Sequence, residues 1–249
     1  MVILAIIVYD RVHNIELWAR TKPTLPVYVI HTGPERDSCK KICSDAGFIY
    51  IPRENRGLDI GSVQDVFRER LEGFPNDWTR LIWCTDDVIP VTPQWLTPFI
   101  ESTADLAAFQ ISLTPVRHVR TTAYCITKEL SRKIQFPADP VVSKEQGYQY
   151  EYKGGHLTLT SQAEELGATI EQVTPTGLWD QGYGKRPELL PEYIFNFGLP
   201  VPLVDVLIER PWKIRLNKEV AYNVTTGYDK KRVKQWLCEQ GVIFNIVNP

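Results

Sequence analysis

The residues of this sequence that could do chemistry stand at the ends of apolar runs. Leu81-Ile82-Trp83-Cys84 leads directly into Thr85-Asp86-Asp87, so a buried strand would end in two adjacent carboxylates. At the carboxyl edge of a sheet such a pair can hold one hard cation and leave positions open for phosphate oxygens. The same residues also suit an Asp-rich turn ahead of a helix near Pro93, because short carboxylates favour turns. A second cluster, Glu54-Asn55-Arg56-Gly57-Leu58-Asp59-Ile60-Gly61-Ser62, joins an apolar run to a helical one. It would bring a helix N-terminus and flexible glycine backbone to the same edge, a combination that receives phosphate. There Arg56 could meet a phosphate and Asp59 could accept a hydrogen bond from ribose or base. The bland alternative makes Asp59 only a helix cap and Gly57 only a turn residue.

These clusters need a sheet to position them, and the apolar pattern supplies one. Residues 2–9 form a β-branched and aliphatic run of the kind buried on both faces of a parallel sheet. Residues 14–20 have helical spacing, Lys22-Pro23 stops them, and residues 26–30 form a second strand. The unit then repeats, with a helix over 37–46, a stop at Gly47 and a strand over 48–51. The spacing of Ile60, Val63, Val66, Phe67 and Leu71 predicts an amphipathic helix over 59–71, and residues 79–85 form a fourth strand. Beyond Asp87 the expected elements are strands over 106–113, 120–126 and 168–173 and helices over 128–134 and 157–166. Residues 144–155 read as a loop or frayed helix, 174–211 as a proline-rich tail over the sheet, and 230–239 as a last helix. The fold class is therefore α/β, a mostly parallel Rossmann-like sheet with helices on both faces, which binds ligands beyond the carboxyl ends of its strands. Residues 1–249 read as a single domain.

Composition narrows the class of partner. With 249 residues, 43% hydrophobic and 11% aromatic, the chain can bury a core without a disulfide or metal staple. A net charge of −2, from 28 basic and 30 acidic residues, argues against a surface made for nucleic acid or anionic membrane. The five cysteines, Cys39, Cys43, Cys84, Cys125 and Cys238, show no CxxC motif and suit reduced thiols in a cytoplasmic setting. The run 2–8 lacks a basic leader and is too short to cross a bilayer, which takes roughly 20 residues, so neither a signal peptide nor a transmembrane segment is expected.

Taken together, Tyr9-Asp10 after the first strand, Asn55-Arg56-Gly57 with Asp59 after the third, and Thr85-Asp86-Asp87 after the fourth resemble nucleotide-sugar glycosyltransferases of the GT-A fold. The likeness spans residues 1–175 and implies 1–90 as the nucleotide-binding half and 91–249 as the acceptor-side half and C-terminal tail. Segments such as Arg120-Thr121-Thr122-Ala123-Tyr124 and Phe136-Pro137-Ala138-Asp139-Pro140 resemble bacterial and large-virus polysaccharide-building members. In that fold the first motif flanks the nucleotide base, the second contacts the nucleoside, and the third is a DxD motif whose carboxylates bind ribose and a Mn²⁺ or Mg²⁺ held by the diphosphate. The resemblance implies Tyr9, Asp10, Arg56, Asp59 and Asp86 as donor contacts and Asp87 as the metal ligand. Thr85 departs from the pattern, standing where the first Asp of DxD is usual, which leaves one carboxylate fewer for the cation. Some members complete the metal site with a histidine, and His156 is the candidate here.

The function implied is metal-dependent transfer of a sugar from a nucleoside diphosphate sugar, a UDP-sugar, to a glycan or glycoconjugate hydroxyl, with inversion as the first reading and retention at the anomeric carbon as the open alternative. An inverting member needs a base near the helix that leads into the last sheet strand. Glu151 is that residue by position, Asp180 is its rival and Asp139 a third. Lys230, Lys231, Arg232 and Lys234 make a basic turn that suits phosphates or, as the simpler reading, a solvated helix face. A nucleotidyltransferase would use carboxylates and Mg²⁺ on a similar sheet, but it would need a glycine-rich loop after strand one, and residues 9–13 contain no glycine. A carbohydrate-binding domain with a decayed transferase site is the non-enzyme alternative, which Thr85 keeps open.

Overall fold

In the computed structural model, residues 1–12, 14–86, 88–90, 93–109, 111–112, 116–173 and 203–205 are described. The first half follows the expected alternation: β1 (Val2–Val8), α1 (Asn14–Arg20), β2 (Val27–His31), α2 (Arg36–Ala46), β3 (Ile49–Pro52), α3 (Leu58–Phe67) and β4 (Arg80–Thr85). Then follow β5 (Val88–Pro90), a 3-10 turn at Pro93–Leu96, α4 (Thr97–Glu101), β6 (Leu106–Ala108), β7 (Ile111–Ser112), β8 (His118–Val119) and β9 (Ala123–Thr127). The remaining elements are α5 (Lys128–Lys133), α6 (Lys144–Tyr148), a π-helical turn at Gln149–Lys153, α7 (Leu159–Glu165), β10 (Ile170–Gln172) and β11 (Leu203–Asp205).

Seven strands make one sheet in the order β10-β6-β9-β4-β1-β2-β3. Every pairing in it is parallel except those of β9, which runs antiparallel to both β4 and β6. The expected mostly parallel sheet is present, with one inverted strand near its middle. Side chains alternate across it as the two-residue period of a strand requires. Ile3, Ala5 and Ile7 of β1 pack with Ile60, Val63, Val66 and Phe67 of α3, whereas Leu4, Ile6 and Val8 pack with Ile15 and Trp18 of α1 and Cys39 and Cys43 of α2. Helices thus cover both faces.

Several boundaries differ from the sequence reading, for local reasons. The strand expected over 106–113 is two short strands in different sheets, β6 in the main one and β7 paired with β8. The helix expected over 59–71 ends at Phe67, and Glu69 takes a left-handed φ of 54°. Of the two readings open for residues 144–155, loop or frayed helix, the helix is the one present, as α6 and the π-helical turn through Lys153: Ser143 and Gln146 cap α6 reciprocally, with Ser143 Oγ accepting from the Gln146 amide at 3.3 Å. The expected helix over 230–239, with its basic turn, lies outside the described residues. In the stretch 174–211 only β11 is described, paired antiparallel with β5.

A buried ion pair holds the loop between β3 and α3. Arg53 and Asp65 are both buried, and Arg53 Nε and Nη2 donate to Asp65 Oδ2 at 2.8 and 2.7 Å while Nη1 donates to the Glu54 carbonyl at 2.9 Å. Arg56 reaches the same oxygen at 3.6 Å from a side chain that is 47% exposed. Removing one member of a buried pair strands the other, at about 3–5 kcal/mol, while solvated pairs contribute about 0–1 kcal/mol. Asp65→Ala should therefore cost several kcal/mol in chemical denaturation, on the order of 3–5, and Arg56→Ala less than about 1.

Candidate functional site

At the carboxyl edge of the sheet the ends of β1 and β4, the loop after β3 and the segment before β9 surround a cleft of about 320 Å³. Asp86 organises its floor. The Asp86 amide still donates to the Ile7 carbonyl at 2.9 Å, which continues the β1–β4 pairing one residue past β4. Its Oδ2 accepts from the backbone amides of Tyr9 and Arg11 at 2.9 and 3.3 Å, and its carbonyl accepts from Asn14 Nδ2 at 2.8 Å. The carboxylate therefore ties the β1–α1 loop to the end of β4, and Asp86 is only 9% exposed. Tyr9, held by its backbone to Asp86, leaves its side chain 48% exposed and lines the cleft beside Asp10.

Asp59 enters from the next loop. Gly57, not Asp59, occupies the cap position of α3, with φ 70°, and a Cβ there would stand 2.2 Å from the Val141 carbonyl oxygen. Only glycine suits both demands. Asp59 is the second residue of the helix and lines the cleft. Its negative charge also reaches Tyr124 and Tyr150: burial pushes both phenols up, and Asp59 adds to the effect, so both stay protonated.

The opposite wall comes from the second half of the chain. Because β9 is antiparallel, its start lies at the carboxyl edge of β4, where the Thr85 amide donates to the Thr122 carbonyl at 2.9 Å. Arg120, Thr121 and Thr122 therefore line the cleft. Glu151, on the π-helical turn, faces them: its Oε1 lies 3.5 Å from Arg120 Nε and accepts from the Thr121 amide at 3.4 Å. Nearby His118 is fully buried, its Nδ1 2.8 Å from the Val116 carbonyl, and burial lowers its pKa. Thr85 supplies an unsatisfied group. Its Oγ1 is buried, has no hydrogen-bond partner among the described residues, and belongs to a residue that lines the cleft. A buried hydroxyl left alone costs about 1–3 kcal/mol.

Of the residues singled out in the sequence, Tyr9, Asp10, Asp59, Asp86 and Glu151 are brought to one cleft. Arg56 is not among the residues lining it and leans toward Asp65 instead. Asp139 is exposed in an ion pair with Arg70, and His156 is exposed on a short turn; neither lines the cleft. Asp87 and Asp180 lie outside the described residues. Among the described residues no group of three or more His, Cys, Asp or Glu side chains is arranged to hold a metal ion. Arg120, Lys144 and Tyr148 line the cleft without having been picked out as site residues. For Arg120 the missing information was the direction of β9; for Lys144 and Tyr148 it was the helical state of 144–153, whose spacing places both on the face of Glu151.

Comparison of the sequence with protein families and with curated proteins returns no match. The fold does have solved counterparts. It is similar to the galactosyltransferase LgtC in complex with donor and acceptor sugar analogs, at TM-score 0.52 and 11% identity over 100% of this chain and 98% of that one. It is also similar to the glycosyltransferase GlyE of Streptococcus pneumoniae TIGR4, at TM-score 0.50 and 12% identity, over 99% of this chain and 65% of that one. The apo form of GlyE gives TM-score 0.50 at 14% identity, covering 98% and 65%.

This chain has the GT-A fold. In the GT-A frame the cleft occupies the carboxyl edge, where open α/β sheets receive ligands. Among the described residues no helix is long and apolar enough to cross a membrane.

Thr85 and Asp86 should separate under mutation. Asp86→Ala removes the acceptor for two amides and should lower unfolding free energy by about 1–3 kcal/mol, whatever it does to ligand binding. Thr85→Val deletes a hydroxyl without a partner and should leave stability unchanged or raised. Thermal and urea unfolding of the two variants beside the wild type checks this.

Proposed function

We propose that this chain is a glycosyltransferase that moves a sugar from a nucleoside diphosphate sugar, a UDP-sugar, to a hydroxyl of a glycan or glycoconjugate, with inversion. One observation carries the reading: the three sequence clusters after β1, β3 and β4 converge on a single cleft at the carboxyl edge of a GT-A sheet. The exposed Tyr9 ring and the Asp59 carboxylate suit a base and a ribose.

Charge shapes the chemistry. The cleft is lined by four carboxylates, Asp10, Asp59, Asp86 and Glu151, against two cations, Arg120 and Lys144. A diphosphate entering so acidic a lining needs added positive charge. A divalent cation, Mn²⁺ or Mg²⁺, would supply it when bound, and Asp87 is the residue assigned to hold it. The chain's own residues do the rest. Glu151 accepts the proton of the acceptor hydroxyl as that oxygen bonds to the anomeric carbon. The bond from that carbon to the diphosphate oxygen breaks, and the leaving group departs with the electron pair. Arg120, beside Glu151, keeps that carboxylate in place and offers charge to the leaving group. A reducing, cytoplasmic location fits the four buried free thiols Cys39, Cys43, Cys84 and Cys125.

Calorimetric titration should show UDP binding at or below millimolar concentration with Mn²⁺ present, and Asp87→Ala should abolish the Mn²⁺ dependence without unfolding the protein. No nucleotide binding by the wild type would remove the basis of the reading.

Glu151→Gln should keep UDP affinity and slow sugar transfer from UDP-sugars to a glycan acceptor, read as acceptor-dependent UDP release, by roughly 10² to 10⁴ fold. Normal turnover in that variant beside a dead Asp180→Asn variant would transfer the role of base to Asp180.

A further inference from the structure

The cleft has an arm of which the reading above uses only the end, Glu151. Lys144, Tyr148 and Glu151 follow one another at spacings of four and three through α6 and the π-helical turn, and all three line the cleft. Such spacing puts side chains on one helical face. The Tyr148 ring is fixed from several sides. Lys144 Nζ lies 5.4 Å from its centroid, Lys153 Nζ lies 4.9 Å away, and the Tyr152 ring stands at 5.5 Å and is backed by His118 at 5.4 Å. The two lysines are not equivalent. Lys153 has Glu145 at 3.4 Å, whereas Lys144 is exposed and has no carboxylate partner among the described residues.

We propose that Lys144, Tyr148 and Glu151 form the acceptor arm, and that the acceptor presents an acidic saccharide, its ring stacked on Tyr148 and its carboxylate on Lys144. The inference rests on the transferase reading for the role of Glu151. An aromatic ring offers a flat apolar surface to the C–H face of a sugar, and a rigid ring gives that contact at little entropic cost. The ammonium of Lys144 can then make a charge-assisted bond with an anionic substituent. Repulsion supplies the orientation. Asp10, Asp59 and Asp86 oppose a carboxylate elsewhere in the cleft, and Arg120 is engaged by Glu151. With its anion at Lys144 and its ring over Tyr148, the sugar would turn a hydroxyl toward Glu151, two turn-spacings along the same face.

The test uses methyl glycosides in matched pairs, glucuronide with glucoside and galacturonide with galactoside, titrated against the full chain by ligand-observed NMR, with UDP titrated in parallel. We expect at least one acidic member to bind about tenfold tighter than its neutral partner. Lys144→Met should erase that preference and leave neutral binding, Tyr148→Ala should lose both, and Tyr148→Phe should restore both. UDP affinity should be the same in all these proteins. No preference for any acidic glycoside would overturn the proposal, as would a fall in UDP affinity in Lys144→Met, which would assign the lysine to the diphosphate. Failure of the wild type to bind UDP would strike the transferase reading alone, because the glycoside titrations report on the arm directly.

Discussion

The antiparallel pairing of β9 with β4 is the constraint on which the cleft depends. A parallel strand in that place would begin at the amino edge of the sheet and carry its preceding residues to the wrong side. Running the other way, β9 starts where β4 ends, and Thr122 bonds to Thr85 across the seam. Arg120, Thr121 and Thr122 are thereby set against the Thr85-Asp86 end of β4, so two halves of the chain far apart in sequence share one cavity.

Around that seam the loops are held by buried polar bonds as well as by the apolar contacts of Val12 and Val141. Asp86 gathers the amides of Tyr9 and Arg11, Arg53 and Asp65 brace the β3–α3 turn, and Gln64 of α3 bonds to Ala138 and Val141 with both ends of its amide. Each buried group is expensive to leave unpaired and so specifies one arrangement of its loop. The apolar layers on the two sheet faces supply the bulk of the stabilisation, but they do not aim side chains. This division explains why Asp86, read from sequence as a ligand contact, also serves as a structural tie, and why Arg56 turns toward Asp65 and away from the cleft.

The sequence by itself determined the first half of the fold and the place of the site. Continuous apolar runs and helical spacings of three and four report burial directly, so β1 to β4 and α1 to α3 could be read within a few residues. Carboxylates just past strand ends must emerge at one edge when those strands are parallel, which made Asp59 and Asp86 legible as neighbours, while Tyr9 and Asp10 were implied by the resemblance to GT-A glycosyltransferases. Only the tertiary structure decided the direction of β9 and the helical state of residues 144–153. A short buried strand has the same pattern in either direction, and a polar, tyrosine-rich segment has no apolar period to reveal it. The roles of Arg120, Lys144 and Tyr148 follow from those two features, because strand direction and helix register are settled by long-range pairing and packing and not by local residue type.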